Sequence, residues 1–325
     1  MKEKVLGFLR QRSDFVSGQE ICEKLGVSRT AIWKYIKVLR EEGYEIESVT
    51  RKGYRLLQSP DFITKEELLR RLPKGLPGGE VYYFDSVDST NEAAKRAAAK
   101  MPDRSLFVAD QQVAGKGRRG RTWVSPKGED IFFSLLLRPE IPAEAASMLT
   151  LVAALAAAAV SEKYSGRPCH IKWPNDIVLN NKKICGILTE MGVEMDEITY
   201  VVIGVGFNIN RRDFGDEIAS MATSIRRECG KRIERAPFLA DFIEGFMKRY
   251  EIFLQAGDLS PLMEEYNAHL INIGRQVKIV NRSGEKIRTA LGINEKGELL
   301  LEDDIGRQEK VFSGEVSVRG LYGYV

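Results

Sequence analysis

The stretch Gly115-Lys-Gly-Arg-Arg-Gly-Arg121 places three glycines and four cations in seven residues, after the strand-like run Leu106–Gln112 and before Trp123. Glycine allows close backbone approach, and clustered Arg and Lys offer bidentate or point-charge contacts to carboxylate and phosphate. Charge this dense between apolar strands reads as an anion-binding loop and argues against a disordered basic surface segment. It is not a Walker loop, which needs G-x-x-x-x-G-K-[ST] opening a helix.

Outward from the loop, apolar periodicity predicts strands at 80–87, 106–112, 131–137, 176–180, 183–190 and 198–207. Helices are predicted at 90–100, 143–164 and 236–255, with another near 260–270. The middle of the chain is therefore mixed α/β. Its most apolar run, Met148–Val160, is Ala-rich and shorter than the roughly 20 residues of a bilayer-spanning helix, so it reads as a buried helix. From Arg275 onward, the short runs QVKIVN, KIRTALGI, ELLLED and EKVFSG, separated by Gly-containing turns, read as a small β barrel-like module. Toward the N-terminus, a break around Ser59-Pro60 precedes a helix over Thr64–Leu72, and a Pro/Gly stretch at 73–79 leads into the first central strand.

Residues 1–58 have a different character. Ser17-Gly-Gln-Glu20 is a capping-box pattern opening a short helix that ends at Leu25-Gly26, and Ser28 can cap a second helix over Arg29–Arg40. On that second helix Ala31, Ile32, Tyr35, Ile36 and Leu39 share one face, leaving Arg29, Thr30, Trp33, Lys34 and Lys37 on the other. A helix that projects Arg, Thr and Lys outward from its start has the geometry of a recognition helix. Two strand-like runs then flank Thr50-Arg-Lys-Gly53, where Arg51 and Lys52 make a basic tip suited to phosphates. Together these features predict a winged helix-turn-helix that binds DNA through Ser28, Arg29, Thr30, Trp33, Lys34, Lys37, Arg51 and Lys52. A plain three-helix domain with solvated lysines would account for the spacing, but not for the agreement of caps, wing and charge. Residues 1–60 hold 12 Lys/Arg against 8 Asp/Glu, which leaves 37 against 38 in the rest, so the positive surplus is N-terminal.

At 325 residues, 43% hydrophobic and 29% charged, the chain is long enough for two or three domains and can bury a real core. A net charge of +3 excludes a protein coated all over in nucleic acid. The four cysteines, Cys22, Cys169, Cys185 and Cys229, are scattered, which argues against structural zinc or a disulfide framework. The opening residues lack the apolar core and cleavage site of a signal peptide. A cytoplasmic protein with no membrane partner is expected.

Further motifs follow in a fixed order. The loop is similar to the GRGRRGR segment of biotin protein ligases, and Asp88-Ser-Thr-Asn91 resembles their D-S-T-N. Lys172-Trp-Pro-Asn-Asp176, then Lys183 and Gly186-Ile187 before Glu190, resembles their K-W-P-N-D…K…G-I-L-x-E, and Gly204-Val-Gly-Phe-Asn208 their G-x-G-x-N. With a helix-turn-helix in front and a β module behind, the chain resembles the bifunctional biotin ligase/biotin operon repressor type over nearly its whole length. Lys116 departs from the arginine usual there, exchanging a fork of donors for one ammonium.

The resemblance implies a mixed α+β fold. It would comprise a winged helix-turn-helix at 1–60, a mixed α/β ligase domain at 61–272, and a small SH3-like β-barrel at 273–325. It implies that biotin and ATP, with Mg²⁺, give biotinyl-5′-AMP, and that a lysine of a biotin carboxyl carrier protein then takes the biotinyl group. Lys183 and Arg118 are the implied catalytic residues, Lys183 on the biotin carboxylate or the bridging oxygen and Arg118 retaining the adenylate. Biotin binding is implied for Ser89, Thr90, Asn91, Gln112, Gly115, Lys116, Gly117, Arg118, Lys183, Gly186 and Gly204. Contacts to ATP or adenylate are implied for Arg119, Arg121, Trp123, Asn175, Asp176 and Asn208. From the residues alone, Ser89 reads equally as a helix cap, Trp123 equally as core, and Trp173 as packing. No metal site of the protein's own is expected. The implied partners are the carrier protein, operator DNA and, with adenylate bound, a second copy of the chain. Residues Arg211–Thr223 are expected to form a loop that closes over the nucleotide. The competing readings are a ligand-sensing repressor without ligase activity and a ligase for lipoate or octanoate.

Overall fold

The structure is a computed structural model that describes the chain except residues 42–43, 59–60, 62, 73–75, 77, 196, 282–283, 314–316, 321–323 and 325. The expected break at Ser59-Pro60 and most of the prolines and glycines at 73–79 lie outside the described residues. Tertiary contacts divide the chain into two compact units, residues 1–62 and 63–325.

The first unit runs α1 (Lys2–Arg10), α2 (Gly18–Leu25), α3 (Arg29–Glu41) and a hairpin of β1 (Glu45–Val49) and β2 (Gly53–Gln58). Both predicted caps form: Ser17 Oγ accepts from Glu20 N at 3.1 Å and Ser28 Oγ from Ala31 N at 3.2 Å. Gly26, at φ 65°, ends α2 in the left-handed region that glycine tolerates. Val5, Leu9, Ile21, Ile32, Ile36 and Leu39 make one small core, each side chain contributing roughly 1.5–3 kcal/mol by burial. Gly53 has φ 107°, and a Cβ there would lie 2.0 Å from the Val16 carbonyl oxygen, so the wing is stitched to the segment before α2 at a position only glycine fits.

The second unit continues with α4 (Lys65–Arg71), β3 (Val81–Phe84), α5 (Thr90–Ala97), β4 (Ser105–Ala109), β5 (Ile131–Leu137) and α6 (Met148–Ser165). There follow β6 (His170–Lys172), β7 (Asp176–Leu179), β8 (Lys182–Glu194), β9 (Glu197–Phe207), α7 (Gly215–Ile218), α8 (Ile225–Cys229), α9 (Arg235–Ala256) and α10 (Met263–His269). The strands form one sheet in the order β3-β4-β5-β9-β8-β7-β6, parallel only between β3 and β4. The first predicted strand stops at Phe84, and the predicted helix at 90–100 becomes a 3-10 turn after Ala97. β6, α7 and α8 were not foreseen, since three to five residues are too few to display a period.

Two-residue alternation sorts the central strands. Ile131, Phe133 and Leu135 of β5 and Val201, Ile203, Val205 and Phe207 of β9 face a large core shared with α6 and α9. Leu136 and Val202 face the other way, against Ala93, Ala94 and Ala98 at α5. Ala143–Ser165 is apolar and long enough to cross a bilayer, but it is mostly buried inside this core, as the reading of Met148–Val160 required.

At the C-terminal end β10 (Gln276–Asn281), β11 (Gly284–Ile293), β12 (Leu299–Glu302), β13 (Gln308–Val311) and β14 (Ser317–Gly320) pair antiparallel in the order β13-β12-β11-β10-β14. Among the described residues this is an open five-stranded sheet with β13 and β14 at its edges; the expected barrel closure is not among its pairings. Trp173 packs as predicted, buried, with Nε1 donating to the Gly297 carbonyl at 3.1 Å.

Candidate active site

On the α5 face of the seven-stranded sheet lies a cleft of about 440 Å³, counting the part open to solvent. Its floor follows from strand register. Phe132, Gly206, Gly186, Asp176 and Lys172 form one row across β5, β9, β8, β7 and β6, and Ser134, Gly204 and Leu188 form the next. Three glycines on one face remove the side chains that would fill the space. A Cβ on Gly204 would lie 2.0 Å from Asn91 Oδ1, and one on Gly206 2.5 Å from the Trp123 ring. Gly186 lies under the benzo edge of the same indole, where a Cβ would approach to 2.8 Å.

At one end of the cleft the lining side chains Ser89, Thr90, Asn91 and Gln112 are uncharged, with the Glu190–Lys95 ion pair behind Asn91. Gln112 Oε1 accepts from Thr90 N at 2.9 Å and lies 3.2 Å from Thr90 Oγ1, while Gln112 Nε2 donates to Ser125 Oγ at 3.0 Å. Ser134 Oγ sits 2.8 Å from Thr90 Oγ1 and 2.6 Å from Asn91 Oδ1. Asn91 Nδ2 donates to Glu190 Oε2 at 2.8 Å, and Lys95 Nζ reaches the other Glu190 oxygen at 2.8 Å. Ser89 is buried at the start of α5, and its side chain makes no cap bond. The capping role is thus absent, and its hydroxyl borders the cleft.

The other end is charged. Lys183 Nζ lies 2.6 Å from Asp176 Oδ1 and 5.2 Å from the Trp123 ring centroid. Burial alone would raise the Asp176 pKa, but Lys183, with Tyr324 and Lys172, holds the carboxyl below its ordinary value. Arg118 NH1 donates to Asn175 Oδ1 at 2.8 Å, and NH2 donates to the Ser313 carbonyl. Burial lowers the Arg118 pKa, opposed by Asp176, but a guanidinium remains charged at neutral pH. The loop itself is a tight backbone turn: Trp123 N donates to Gly115 O at 2.9 Å and Gly117 N to Arg121 O at 2.7 Å.

Of the predicted site residues, Ser89, Thr90, Asn91, Gln112, Lys116, Gly117, Arg118, Trp123, Asn175, Lys183, Gly186 and Gly204 line this cleft. Gly115, Arg119, Arg121, Asp176 and Asn208 do not. Gly115 packs under the Trp123 carbonyl, where a Cβ would come within 2.4 Å, and Arg119 and Arg121 are exposed. Lys116 pairs with Glu92 at 2.6 Å. Asn208 Nδ2 donates to the Thr223 carbonyl at 3.1 Å, and Lys183 exchanges backbone bonds with Met221 and Thr223, so the end of the 211–223 segment is tied to the start of β8. Ser134 and Glu190 were assigned no role from sequence, although a lone hydroxyl in the apolar run Ile131–Leu137 was a usable signal.

In the N-terminal unit Arg29, Thr30, Lys34 and Lys37 are exposed on α3, and Trp33 is 55% exposed. Arg51 and Lys52 are exposed at the wing turn. Ser28 is spent on capping, and Arg29 NH2 donates to Gln19 Oε1 at 3.1 Å.

Residues 83–208 match the Biotin/lipoate A/B protein ligase family, and residues 2–55 match a helix-turn-helix (HTH) domain. The chain is 40% identical to the bifunctional ligase/repressor BirA of Bacillus spizizenii over 98% of both chains. It is 32% identical to that of Escherichia coli over 96% of this chain and 95% of the relative. A biotin protein ligase from Aquifex aeolicus, solved with biotin and ATP, superposes with a TM-score of 0.65 at 29% identity, covering 74% of this chain and 98% of that one. Ordered motifs, a glycine-cleared cleft with its cations, and likeness along the full length agree: the chain belongs to the biotin protein ligase family, in its bifunctional ligase/repressor branch.

Proposed function

We propose that this chain joins biotin to ATP as biotinyl-5′-AMP, transfers the biotinyl group to a lysine of a biotin carboxyl carrier protein, and as an adenylate-bound dimer represses biotin genes. The observation that carries the reading is the cleft floor: Gly186, Gly204 and Gly206 lie on one sheet face between a neutral hydrogen-bonding end and Lys183 with Arg118.

A ureido ring buried at the neutral end needs its N–H and C=O groups paired, which the Ser89, Thr90, Asn91 and Gln112 side chains can do. The biotin carboxylate then points toward Lys183. A carboxylate oxygen attacks the α-phosphorus, the bond to the bridging oxygen breaks, and pyrophosphate leaves. Lys183 and Arg118 offset the negative charge that gathers there. Arg119, Arg121, Trp123, Asn175, Asp176 and Asn208 contact or support the nucleotide, and Mg²⁺ arrives with ATP as part of the substrate. In the second step the carrier lysine attacks the acyl carbon, loses a proton, and AMP leaves. The chain's contribution is positioning and charge stabilisation.

Three domains, 1–60, 61–272 and 273–325, suit these roles. One short recognition helix reads few bases, so operator binding calls for two copies on paired half-sites. An operator partner puts the protein in the cytoplasm. Biotin-dependent exchange of labelled pyrophosphate into ATP, with lipoate and no acid as controls, tests the enzyme reading. Exchange with biotin alone supports it; no exchange leaves a sensor without ligase activity. Sedimentation with and without biotin and ATP tests the dimer, which is expected only with both.

A further inference from the structure

The residues that carry the ligase reading all fall at or before Asn208, yet the charged end of the site is completed from the far end of the chain. Tyr324 donates its phenolic proton to Asp176 Oδ2, and the Tyr324 carbonyl accepts from Lys172 Nζ. The tyrosine ring also lies 3.7 Å from that ammonium. Lys172 and Asp176 are register partners across β6 and β7, and Asp176 is the partner of Gly186 on the cleft floor. Tyr324 therefore caps the same row of the sheet whose next strand, β8, carries the cleft floor at Gly186.

This placement matters for Lys183. Its Nζ is held on Asp176 Oδ1 at 2.6 Å, at the end of a flexible stem with three rotatable donors. A carboxylate held on one oxygen only can turn about its last torsion and carry the amine with it; a second donor on the other oxygen stops that rotation. The protonation states suit the arrangement: burial and Asp176 keep the Tyr324 phenol well above its ordinary pKa, so it retains the proton it donates. The ammonium of Lys172 is in turn held by the tyrosine ring and carbonyl.

We propose that Tyr324 is a positioning residue for adenylation: its hydroxyl locks the Asp176 carboxylate so that the Lys183 ammonium stays on the cleft wall. The role rests on the ligase reading. The experiment measures biotin-dependent pyrophosphate exchange by the full chain carrying Tyr324→Phe, alone and with Asp176→Asn. Phenylalanine keeps the ring against Lys172 and removes one oxygen. The expected result is a kcat about tenfold lower, a KM for biotin within about twofold, and no further loss when Tyr324→Phe is added to Asp176→Asn. Acetylation of Lys183 by acetic anhydride, followed by mass spectrometry, should speed up several-fold against the exposed Lys163 in Tyr324→Phe, and it decides the matter if Asp176→Asn abolishes exchange. Unchanged kcat and labelling, or equal fractional losses in both backgrounds, would overturn the proposal. So would a higher kcat/KM for ATP, the mark of a tail that obstructs the site. Wild-type chain that shows no exchange defeats the ligase reading and this role together; wild-type exchange with an unaffected variant defeats this role alone.

Discussion

At the neutral end of the cleft the polar groups come from α5, β5 and the segment after β4, and nearly every one already has a partner within the protein. At the charged end Arg118 comes from the loop, Lys172 and Asp176 from one short motif and Lys183 from the start of β8, and each cation is held by groups on another stretch: Arg118 by Asn175 and Ser313, Lys172 by Tyr324, Lys183 by Asp176. The neutral end is a rigid template, because a buried hydroxyl or amide left unpaired costs about 1–3 kcal/mol. The charged end is a set of cations kept in tension by neighbours, where removing one partner exposes another. The difference teaches where each end is vulnerable: the neutral end to steric intrusion among paired hydrogen bonds, the charged end to loss of a charge, so a substitution at one should leave the ligand at the other unaffected.

Four substitutions press on that contrast, from largest effect to smallest. Lys183→Met should lower adenylation by about a hundred- to a thousandfold in pyrophosphate exchange, since it removes a preorganised cation where charge develops. A loss under about tenfold would show that the charged end works without it. Arg118→Gly deletes the donor to Asn175 and Ser313, and should release the adenylate about tenfold faster, seen as biotinylation of bystander lysines. Retention unchanged from wild type would refute that role. Gly204→Ala drives a methyl to 2.0 Å from Asn91 Oδ1; it should cost about 1–3 kcal/mol of stability and raise the biotin KM several-fold, leaving the ATP KM alone. An equal rise in both would mean the two ends are not separable.

Asp88→Asn has the smallest effect. Its hydrogen bonds with Arg96, at 2.6 and 2.9 Å, lower the Asp88 carboxyl from 3.8 to about 2. A depressed acid stabilises the fold above its unfolded pKa and loses that contribution as pH falls through the folded one. The pair is exposed, so the substitution should cost less than about 1 kcal/mol at neutral pH, and wild type and variant should draw together as pH falls toward about 2 and converge below it in thermal melts.

Much of this was legible in advance because its physics is local. Ser17 and Ser28 cap helices within three residues of themselves, α6 announced its burial by composition, and the alternation of β5 and β9 named the faces of their strands. Gly204 and Gly206, two apart, had to share a face once that strand was recognised. The roles of Glu190 and Tyr324 were not legible, and Ser134 stood out only as a lone hydroxyl in an apolar run, with no sign of its partner. Ser134 meets Asn91 only because α5 packs across the face of β5, and the two residues lie 43 positions apart in sequence. Asn208, read from its motif as a nucleotide residue, also ties two backbone segments together, which its place in the sequence does not reveal. By itself, then, the sequence determined the longer elements, the glycines and the inventory of cations, since those depend on residue type and short spacing. Only the tertiary structure decided which charges meet, because strand order and the return of the chain's end to β6 and β7 bring together residues whose separation in sequence carries no local signal.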